Sequence, residues 1–418
     1  MNPQKKRILL LLPTRTYRAI DFLTAADQLD VEVVIGSDQP QTLSELSPRK
    51  SIALNFHEPV AATREIVAFA KEYPLTAVVG VDDDTTILAT MASEALGLPH
   101  NSVESAYATR NKYRLRKILP EAGIPSPHFD LLSIDDDPAA CATRVRFPCV
   151  VKPLSLSASR GVIRADNSDE FVEAFRRVVA ILRTPGVADD GNVEACGILV
   201  ERFIPGIEVA LEGIFLRGEL KVLAIFDKPD PLDGPFFEET LYITPSRLPT
   251  AVQEAISDCT ARAAQALGLR EGPVHAELRV NDEGPWVIEI AARSIGGLCA
   301  RTLRFGTGIS LEELILRHAI GMEIEPLERE RQPAGVMMIP IPHAGTLREV
   351  RGAADAEKVV GIEGVTISIP VGQEVVPLPE GARYLGFIFA RGGTPESVEA
   401  ALREAHRRLA FIIMKRET

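Results

Sequence analysis

The chain has 418 residues, more than one hydrophobic core usually holds, so two or three domains are expected. With 46% hydrophobic and 25% charged residues, the composition is that of a globular protein. The formal net charge of -12 argues against nucleic acid as a general partner, because binding a phosphate backbone requires clustered Lys and Arg. No apolar run reaches the roughly 18 residues that a membrane span needs, and no membrane partner is expected. The five Cys are scattered, without C-x-x-C spacing, so neither a disulfide framework nor a zinc site is indicated, and the default expectation is a cytoplasmic protein.

The first hundred residues alternate short apolar runs with stretches of helical periodicity. In chain order these are 8–12, 17–29, 31–35, 58–73, 77–81 and 85–96. Such alternation is typical of parallel strands joined by crossover helices, so we predict a doubly wound α/β domain over residues 1–107. No G-x-G-x-x-G follows the first strand, and the usual dinucleotide fingerprint is therefore absent.

The rest of the chain mixes helices and strands less regularly. Helices are predicted at 108–122, 169–182, 251–267, 311–320 and 395–409, and strands at 147–152, 198–203, 208–215, 220–226, 274–280, 286–290, 336–339, 365–369 and 384–390. The charge run ERERQPAG at 328–335 is typical of a linker. We therefore predict a central domain over 108–325 and a C-terminal α+β lobe over 326–418.

The stretch HAELRVNDEGPWVIEIAAR, residues 275–293, predicts a hairpin that pairs about Glu283. Glu277 then lies opposite Glu289, and like charges at that separation of about 5 Å are destabilising. A divalent cation such as Mg²⁺ between them would remove the conflict. A solvated face with salt bridges to Arg279 and Arg293 is the alternative, and the hairpin alone leaves both open. The predicted core face carries Val274, Ala276, Leu278, Val280, Trp286, Ile288 and Ile290.

Two further stretches carry groups suited to a nucleotide. PCVVKPLSLSASRGV, residues 148–162, places Lys152 at the end of a strand before a loop of small residues whose amides and hydroxyls can close over phosphates. LVERFIPGIEV, residues 199–209, offers carboxylates at Glu201 and Glu208 to an exocyclic amine and ribose hydroxyls. Taken singly, an ordinary surface loop and an ordinary strand connection remain the favoured interpretations.

The order of these pieces resembles the ATP-grasp superfamily. The order runs from Lys112 through the V-V-K-P and S-R-G-V stretches to the acids at 201 and 208, the acids at 277 and 289, and Arg293. Within the superfamily the chain looks most like the carboxylate-amine ligases related to bacterial L-amino-acid ligases, and less like D-alanine-D-alanine ligase and the biotin carboxylases. The resemblance covers roughly residues 75–322. It implies an ATP-grasp architecture of α/β and α+β parts, with a mobile lid at about 128–205.

The resemblance also implies a role for each matching residue. It implies ATP contacts for Lys112, Lys152, Ser159, Glu201, Arg202, Ile204, Glu208 and Lys228. In this set the lysines and Ser159 would serve the phosphates, Glu208 the ribose, and the 201–204 stretch the adenine edge. Glu277 and Glu289 would hold Mg²⁺, with Mn²⁺ as an alternative ion. Arg293 would face the reacting acyl group, and Lys152 would share the catalytic role.

Two departures from the superfamily pattern bear on these roles. The E-x-N motif after the second metal ligand is here Glu289-Ile290-Ala291, a form that resembles the amino-acid ligase branch. The phosphate loop is rich in Ser where the superfamily is often rich in Gly. His275, on the same hairpin face as Glu277, is either a neighbour of the phosphates or a structural hydrogen-bond partner.

The expected activity is ATP-dependent joining of a small-molecule carboxylate, expected to be an amino acid, to an amine through an acyl phosphate. Two alternatives stay open at this point. One is a carboxylase that activates bicarbonate, and the other is an ATP-binding sensor or assembly subunit without chemistry. The substrates' identities are not readable from the sequence, and a homodimer is left open.

Overall fold

The computed structural model describes residues 5–39, 50–187 and 196–415. The first part is a four-stranded sheet in the order β3-β2-β1-β4, and its strands are parallel, as the alternating pattern predicts. Its strands are β1 (Arg7–Leu11), β2 (Glu32–Ser37), β3 (Lys50–Ala53) and β4 (Ala77–Gly80), and its helices are α1 (Ala19–Gln28), α2 (Pro59–Glu72) and α3 (Asp83–Ala95). The sequence analysis missed β3, because its Lys-Ser-Ile-Ala run is short and half polar. The helix α3 begins three residues after β4 ends, which places its N-terminal acids at the carboxyl edge of the sheet.

The prediction of a single helix over 108–122 is wrong, because two helices meet there. The first, α4, is Val103–Arg110, and the second, α5, is Lys112–Glu121. The side chain of Asn111 accepts hydrogen bonds from the backbone N–H groups of Tyr113 and Arg114, so it caps α5 and breaks the helical path. As a consequence Lys112 is the first residue of a helix.

A second, antiparallel sheet has the order β5-β8-β6-β7. It consists of β5 (Phe129–Ser133), β6 (Cys149–Pro153), β7 (Ile163–Ala165) and β8 (Gly197–Arg202), with the helices α6 (Pro138–Ala142) and α7 (Ser168–Leu182). The apolar face of α7, including Phe171, Phe175 and Val178, packs on this sheet and forms a separate core cluster. The sheet and its helices are thus a compact unit with their own core.

Eight of the remaining strands build one continuous sheet, in the order β13-β12-β9-β10-β11-β16-β20-β18, and the others form a two-stranded sheet β14-β15 and a three-stranded sheet β19-β17-β21. Elements from 207 to 319 are β9 (Ile207–Leu216), β10 (Glu219–Asp227), β11 (Leu241–Thr244), α8 (Thr250–Ala266), β12 (Gly272–Asn281), β13 (Gly284–Ala291), β14 (Arg304–Phe305), β15 (Ile309–Ser310) and α9 (Leu311–Ala319). Elements from 334 on are β16 (Ala334–Ile339), β17 (Gly345–Arg351), α10 (Ala353–Glu357), β18 (Ile362–Ile367), β19 (Glu374–Val375), β20 (Gly386–Arg391), α11 (Pro395–Arg407) and β21 (Ala410–Met414). Because β16 pairs with β11, the charge run at 328–335 does not divide the sheet. The C-terminal part therefore extends the central sheet.

The hairpin β12–β13 has the predicted register from His275 to Glu277, where Glu277 pairs with Glu289, but between Leu278 and the turn the pairing is shifted by one residue from the prediction. The predicted core face is correct for Val274, Ala276, Leu278 and Ile290, which are fully buried. It is wrong for Trp286 and Ile288, which are partly exposed, because a β-bulge lets Val287 pair with Leu278.

No helix among the described residues is long and apolar enough to cross a membrane.

Candidate active site

Lys152 and Glu201 form a buried ion pair on neighbouring strands. Lys152 on β6 donates to Glu201 on β8, and Arg116 on α5 donates to the same carboxylate at 2.8 and 3.3 Å. Burial acts to raise the pKa of Glu201, but Arg116 and Lys152 together lower it to about 2. The pKa of Lys152 falls to about 8, because burial and the neighbouring Arg116 outweigh its share of one carboxylate. Two cations thus share a single anion.

Lys112 joins three parts of the chain at the start of α5. Its ammonium donates to the carbonyl of Leu156 at 2.7 Å and lies 3.1 Å from the carboxylate of Glu289. Its backbone N–H donates to the carbonyl of Leu154. The structure therefore brings Lys112 together with the predicted phosphate loop and with one of the two opposed hairpin acids.

The predicted phosphate loop follows β6 and has an unusual backbone. Ala158 and Ser159 both have positive φ angles, near 53° and 54°, which are costly for residues with a Cβ. Gly161 also has a positive φ, and a Cβ there would lie 2.8 Å from Cγ of Pro153. The backbone N–H groups of Arg160, Gly161 and Val162 donate to the carbonyls of Ser157, Pro379 and Ser159, so this part of the loop is a tight turn whose amides are already bonded.

The stretch predicted for the adenine edge lies beside a small cavity. Val200, Glu201, Arg202, Ile204 and Trp286 are among the residues that line it. The N–H of Arg202 donates to the carbonyl of His128, and the carbonyl of Ile204 accepts from Arg279. Ile204 lines the cavity, and among the described residues no partner is found for its backbone N–H. The Glu201 carboxylate, in contrast, is already engaged.

Lys228 lies among three carboxylates just beyond β10. Its ammonium lies 2.9 Å from Glu208 and 3.4 Å from Glu277, and it also donates to Glu239. Burial opposes the charge, but the three acids raise the pKa of Lys228 well above its usual value. The oxygens of Glu208, Glu239 and Glu277 lie within 4.8 Å of one another, a grouping that could hold a metal ion. The ammonium therefore lies where a cation is favoured.

The two opposed acids differ in their surroundings. Glu277 lies near Lys228 and 3.5 Å from Nε2 of His275, and these cations hold its pKa well below the usual range despite burial. Glu289 pairs with Lys112 and is about a quarter exposed. The other ring nitrogen of His275 lies 3.1 Å from Glu212, so both neighbours raise the pKa of His275 to about 9 although burial opposes it. His275 is thus a buried hydrogen-bond partner of Glu212 that also lies against Glu277.

Arg293 is bound by an acid from the N-terminal sheet region. Its guanidinium donates to Asp83 at 2.8 Å and to the carbonyl of Ser294 at 2.9 Å. Asp83 also lies 3.4 Å from Arg110. Burial opposes charge on Arg293, but Asp83 raises the pKa of the guanidinium above its ordinary value.

Four charged residues at this site were missed by the sequence analysis. Arg116 lies one helical turn after Lys112, so helical spacing could have revealed it. Glu239 lies in the GPFFEETLYITP stretch, and Asp83 directly follows a predicted strand and its turn. Glu212 lies inside the apolar run of β9. The only feature of the sequence that could have indicated a role is an acidic residue in an otherwise apolar strand.

The donor set suits a divalent cation of the magnesium type. Such ions prefer carboxylate oxygens and keep positions for water and phosphate oxygens. Glu277 and Glu289 are partly exposed, at 22% and 27% of their side-chain areas, so both can reach a ligand. The predicted ATP-contact residues Lys112, Lys152 and Lys228 surround the same region. Glu208, which the resemblance assigned to the ribose, is at present bound to Lys228 and Arg279.

Three family descriptions match the chain in order. They are the ATP-grasp N-terminal domain over residues 23–100, the ATP-grasp domain over 145–302, and L-amino acid ligase C-terminal domain 2 over 337–414.

Among curated relatives, alanine--anticapsin ligase of Bacillus subtilis is 28% identical over 238 residues, covering 54% of this chain and 50% of the relative. Dapdiamide A synthase of Enterobacter agglomerans is 28% identical over 228 residues, covering 54% of this chain and 52% of the relative. The match thus spans about half the length of these relatives.

Solved structures extend the likeness to nearly the whole chain. The L-amino acid ligase from Bacillus licheniformis superposes with a TM-score of 0.80 and 27% identity, covering 99% of this chain and all of that one. A biotin carboxylase from Campylobacter jejuni superposes with a TM-score of 0.67 at 14% identity, covering 99% of this chain and 93% of that one, which shows the fold alone. The chain is therefore an ATP-grasp domain protein, and it resembles the L-amino acid ligases.

Proposed function

We propose that this protein is an ATP-dependent ligase that joins a small-molecule carboxylate to an amine, with amino acids as the substrates. ATP transfers its γ-phosphoryl group to the carboxylate, which gives an acyl phosphate and ADP. The amine then displaces phosphate, which gives the amide, inorganic phosphate and a proton. The observation that carries the proposal is the pairing of Glu277 with Glu289 beside Lys112, in a chain that resembles L-amino acid ligases.

The physical requirement of the reaction is charge neutralisation. A triphosphate, a substrate carboxylate and two glutamates repel one another unless cations lie between them. Lys112, Lys152 and Arg293 supply three positive charges, and Glu277 and Glu289 would hold a Mg²⁺ ion that adds further positive charge beside the phosphates. Phosphoryl transfer depends mainly on positioning and electrostatics, so the site needs no nucleophilic Ser or Cys.

The ion pairs within the site indicate how nucleotide binding would proceed. Lys112 lies beside Glu289, and Lys228 lies beside Glu208 and Glu277. Both lysines would be free to bind phosphates if those acids held a divalent cation instead. Glu201 is held by Arg116 and Lys152, so we assign it to fixing Lys152 beside the adenine cavity. The free N–H of Ile204 would serve the purine edge.

Exclusion of water is the second requirement, because an acyl phosphate would otherwise hydrolyse. The β5–β8 sheet unit would provide the lid. Its phosphate loop touches the C-terminal part, where the N–H of Gly161 donates to the carbonyl of Pro379 and Arg160 donates to the carbonyl of Glu380. Arg177 on α7 also binds the Glu380 carboxylate at 2.8 and 2.9 Å.

The test is a phosphate-release screen with purified protein, ATP and Mg²⁺ over pairwise mixtures of amino acids, followed by mass spectrometry of the product. We expect phosphate release that depends on an amino-acid pair, together with a product mass equal to the two substrates minus water. Phosphate release that depends on bicarbonate and ignores amino acids would instead identify a carboxylase. ATP binding without ADP formation under every condition would identify a protein without chemistry.

A further inference from the structure

The segment after β13 is fixed from both sides by buried charged groups. Arg293 is bound by Asp83, and Ser294 accepts a hydrogen bond from Arg18 at 2.7 Å. The N–H of Ile295 donates to both oxygens of Glu212, at 3.0 and 3.1 Å. Three consecutive residues thus each have a specific polar partner.

Two of these partners belong to the N-terminal α/β region, while Arg293 follows a strand of the central sheet. Asp83 is the first residue of α3, and Arg18 immediately precedes α1. Arg18 is itself fixed by the carbonyl of Val81 and by Glu312. The position of Arg293 therefore depends on how the N-terminal parallel sheet packs against the eight-stranded sheet.

The contact between Asp83 and Arg293 has the geometry of a positioning interaction. Both side chains are about 90% buried, so their attraction is weakly screened by solvent. Two oxygens of Asp83 face two different guanidiniums, Arg293 and Arg110, which leaves Asp83 little freedom to turn. Burial acts against the charge, yet these two cations lower the pKa of Asp83 below its usual range.

We propose that Asp83 is a positioning residue for Arg293, so that the N-terminal region completes the reacting centre. This inference rests on the proposed function, in which Arg293 faces the developing charge on the acyl group. A guanidinium displaced by about 1 Å can cost up to about a hundredfold in rate, so the effect should appear in kcat. Asp83 itself touches no nucleotide in this account, so the KM for ATP should be unchanged.

The experiment is a double-mutant cycle with Asp83→Asn, Arg293→Ala and the combination of both. We expect Asp83→Asn to lower kcat by about tenfold to a hundredfold while the KM for ATP changes less than about twofold. Added to Arg293→Ala, Asp83→Asn should have no further effect on kcat. An equal decrease in both backgrounds would overturn the proposal, because Asp83 would then act independently of Arg293.

Asp84→Asn is the matched control. It removes the same charge one residue further along α3, where Asp84 is exposed and binds Arg110 at 3.3 Å without contacting Arg293. Its kcat should equal that of the wild type, and an equal loss in Asp84→Asn and Asp83→Asn would contradict the proposal. Asp83→Glu keeps the charge, so it should retain more activity than Asp83→Asn.

A second measurement tests the ion pair between Asp83 and Arg293 and does not require an activity assay. The urea midpoints of the wild type, Asp83→Asn, Arg293→Ala and the double variant should be compared. The shift in the double variant should be smaller than the sum of the two single shifts, because either single change breaks the same ion pair. Additive midpoints would overturn the pairing. Failure of the proposed function is recognised separately, since the wild type would then form no ADP with any carboxylate and amine.

Discussion

Glu277 pairs with Glu289 because a β-bulge corrects the register of their hairpin. At the tip Asn281 pairs with Gly284 across a two-residue turn, and continued without interruption this register would place Ile288 opposite Glu277. The bulge at Ile288 shifts the pairing by one residue and brings the second glutamate into place. Bulges recur where a side chain must be redirected at a functional site.

Substitutions of the bulge residue Ile288 and of its neighbour Val287 should have unequal effects on the free energy of unfolding. Val287→Ala removes buried methyl groups from the core, so it should lower the free energy of unfolding by about 1–3 kcal/mol. Ile288→Ala removes a larger but partly exposed side chain and should cost less. Urea denaturation of both variants checks this order, and a larger loss for Ile288→Ala would show that the strand faces are assigned wrongly.

Nucleotide affinity should depend on pH through Lys152. The pKa of this lysine is about 8 in the folded protein, below its ordinary 10.5, so its positive charge is lost as the pH rises through about 8. Titration calorimetry with ADP from about pH 7 to about pH 9.5 should show weakening affinity across this window. Lys152→Arg keeps its charge throughout. The affinity of Lys152→Arg should decline less across this window, because His275, with a pKa of about 9, still loses its charge there. An equal decline in both proteins would exclude Lys152 as a titrating group.

Removal of Lys228 should leave three acids without their common cation. Breaking a buried ion pair by deleting one partner typically costs about 3–5 kcal/mol, so we expect Lys228→Met to lower the free energy of unfolding by about that amount. Magnesium should restore part of the loss, because Glu208, Glu239 and Glu277 would then share an ion. Thermal unfolding with and without Mg²⁺ measures both effects.

Lys221→Met is the control for that experiment, because Lys221 is an exposed lysine on β10 whose partner Glu219 is also exposed. It should change stability by less than about 0.5 kcal/mol and show no response to Mg²⁺ beyond that of the wild type. An equal response in both variants would contradict a cation site at the three glutamates.

The Glu289→Ala variant should lose turnover. Deleting one preorganised electrostatic contact typically costs about two orders of magnitude in rate, so amino-acid-dependent ADP release should fall at least about a hundredfold. A coupled ADP assay with saturating substrates measures this. Unchanged turnover would rule out a metal role for Glu289.

The sequence predicts those features of the fold that depend on a pattern repeated over a few neighbouring residues. Strand and helix alternation reveals the first sheet, and alternation within the hairpin reveals the core positions Val274 and Leu278, because these patterns repeat within a few residues. The cap at Asn111 and the bulge at Ile288 each change the chain path at a single residue, so periodicity does not show them.

Contacts between residues far apart in the sequence are the larger part of what the sequence did not predict. Asp83 and Arg293 are separated by 210 residues, and Lys152 and Glu201 by 49, so no spacing rule connects either pair. The resemblance selected individual residues for the nucleotide but could not show that Glu201 and Lys228 are already bound by other groups. Glu201 meets Lys152 across neighbouring strands of the four-stranded antiparallel sheet, and Lys228 meets Glu208 and Glu277 within the eight-stranded sheet.

The claim on which the account depends is that Glu277 and Glu289 together hold a divalent cation beside the nucleotide. Titration of Mn²⁺ in the presence of ADP, followed by electron paramagnetic resonance, tests it in the wild type, Glu277→Gln, Glu289→Gln and the exposed turn variant Glu283→Gln. We predict that each of the first two substitutions weakens Mn²⁺ binding at least about tenfold while Glu283→Gln leaves it unchanged. Equal Mn²⁺ affinity in all four proteins would contradict the account.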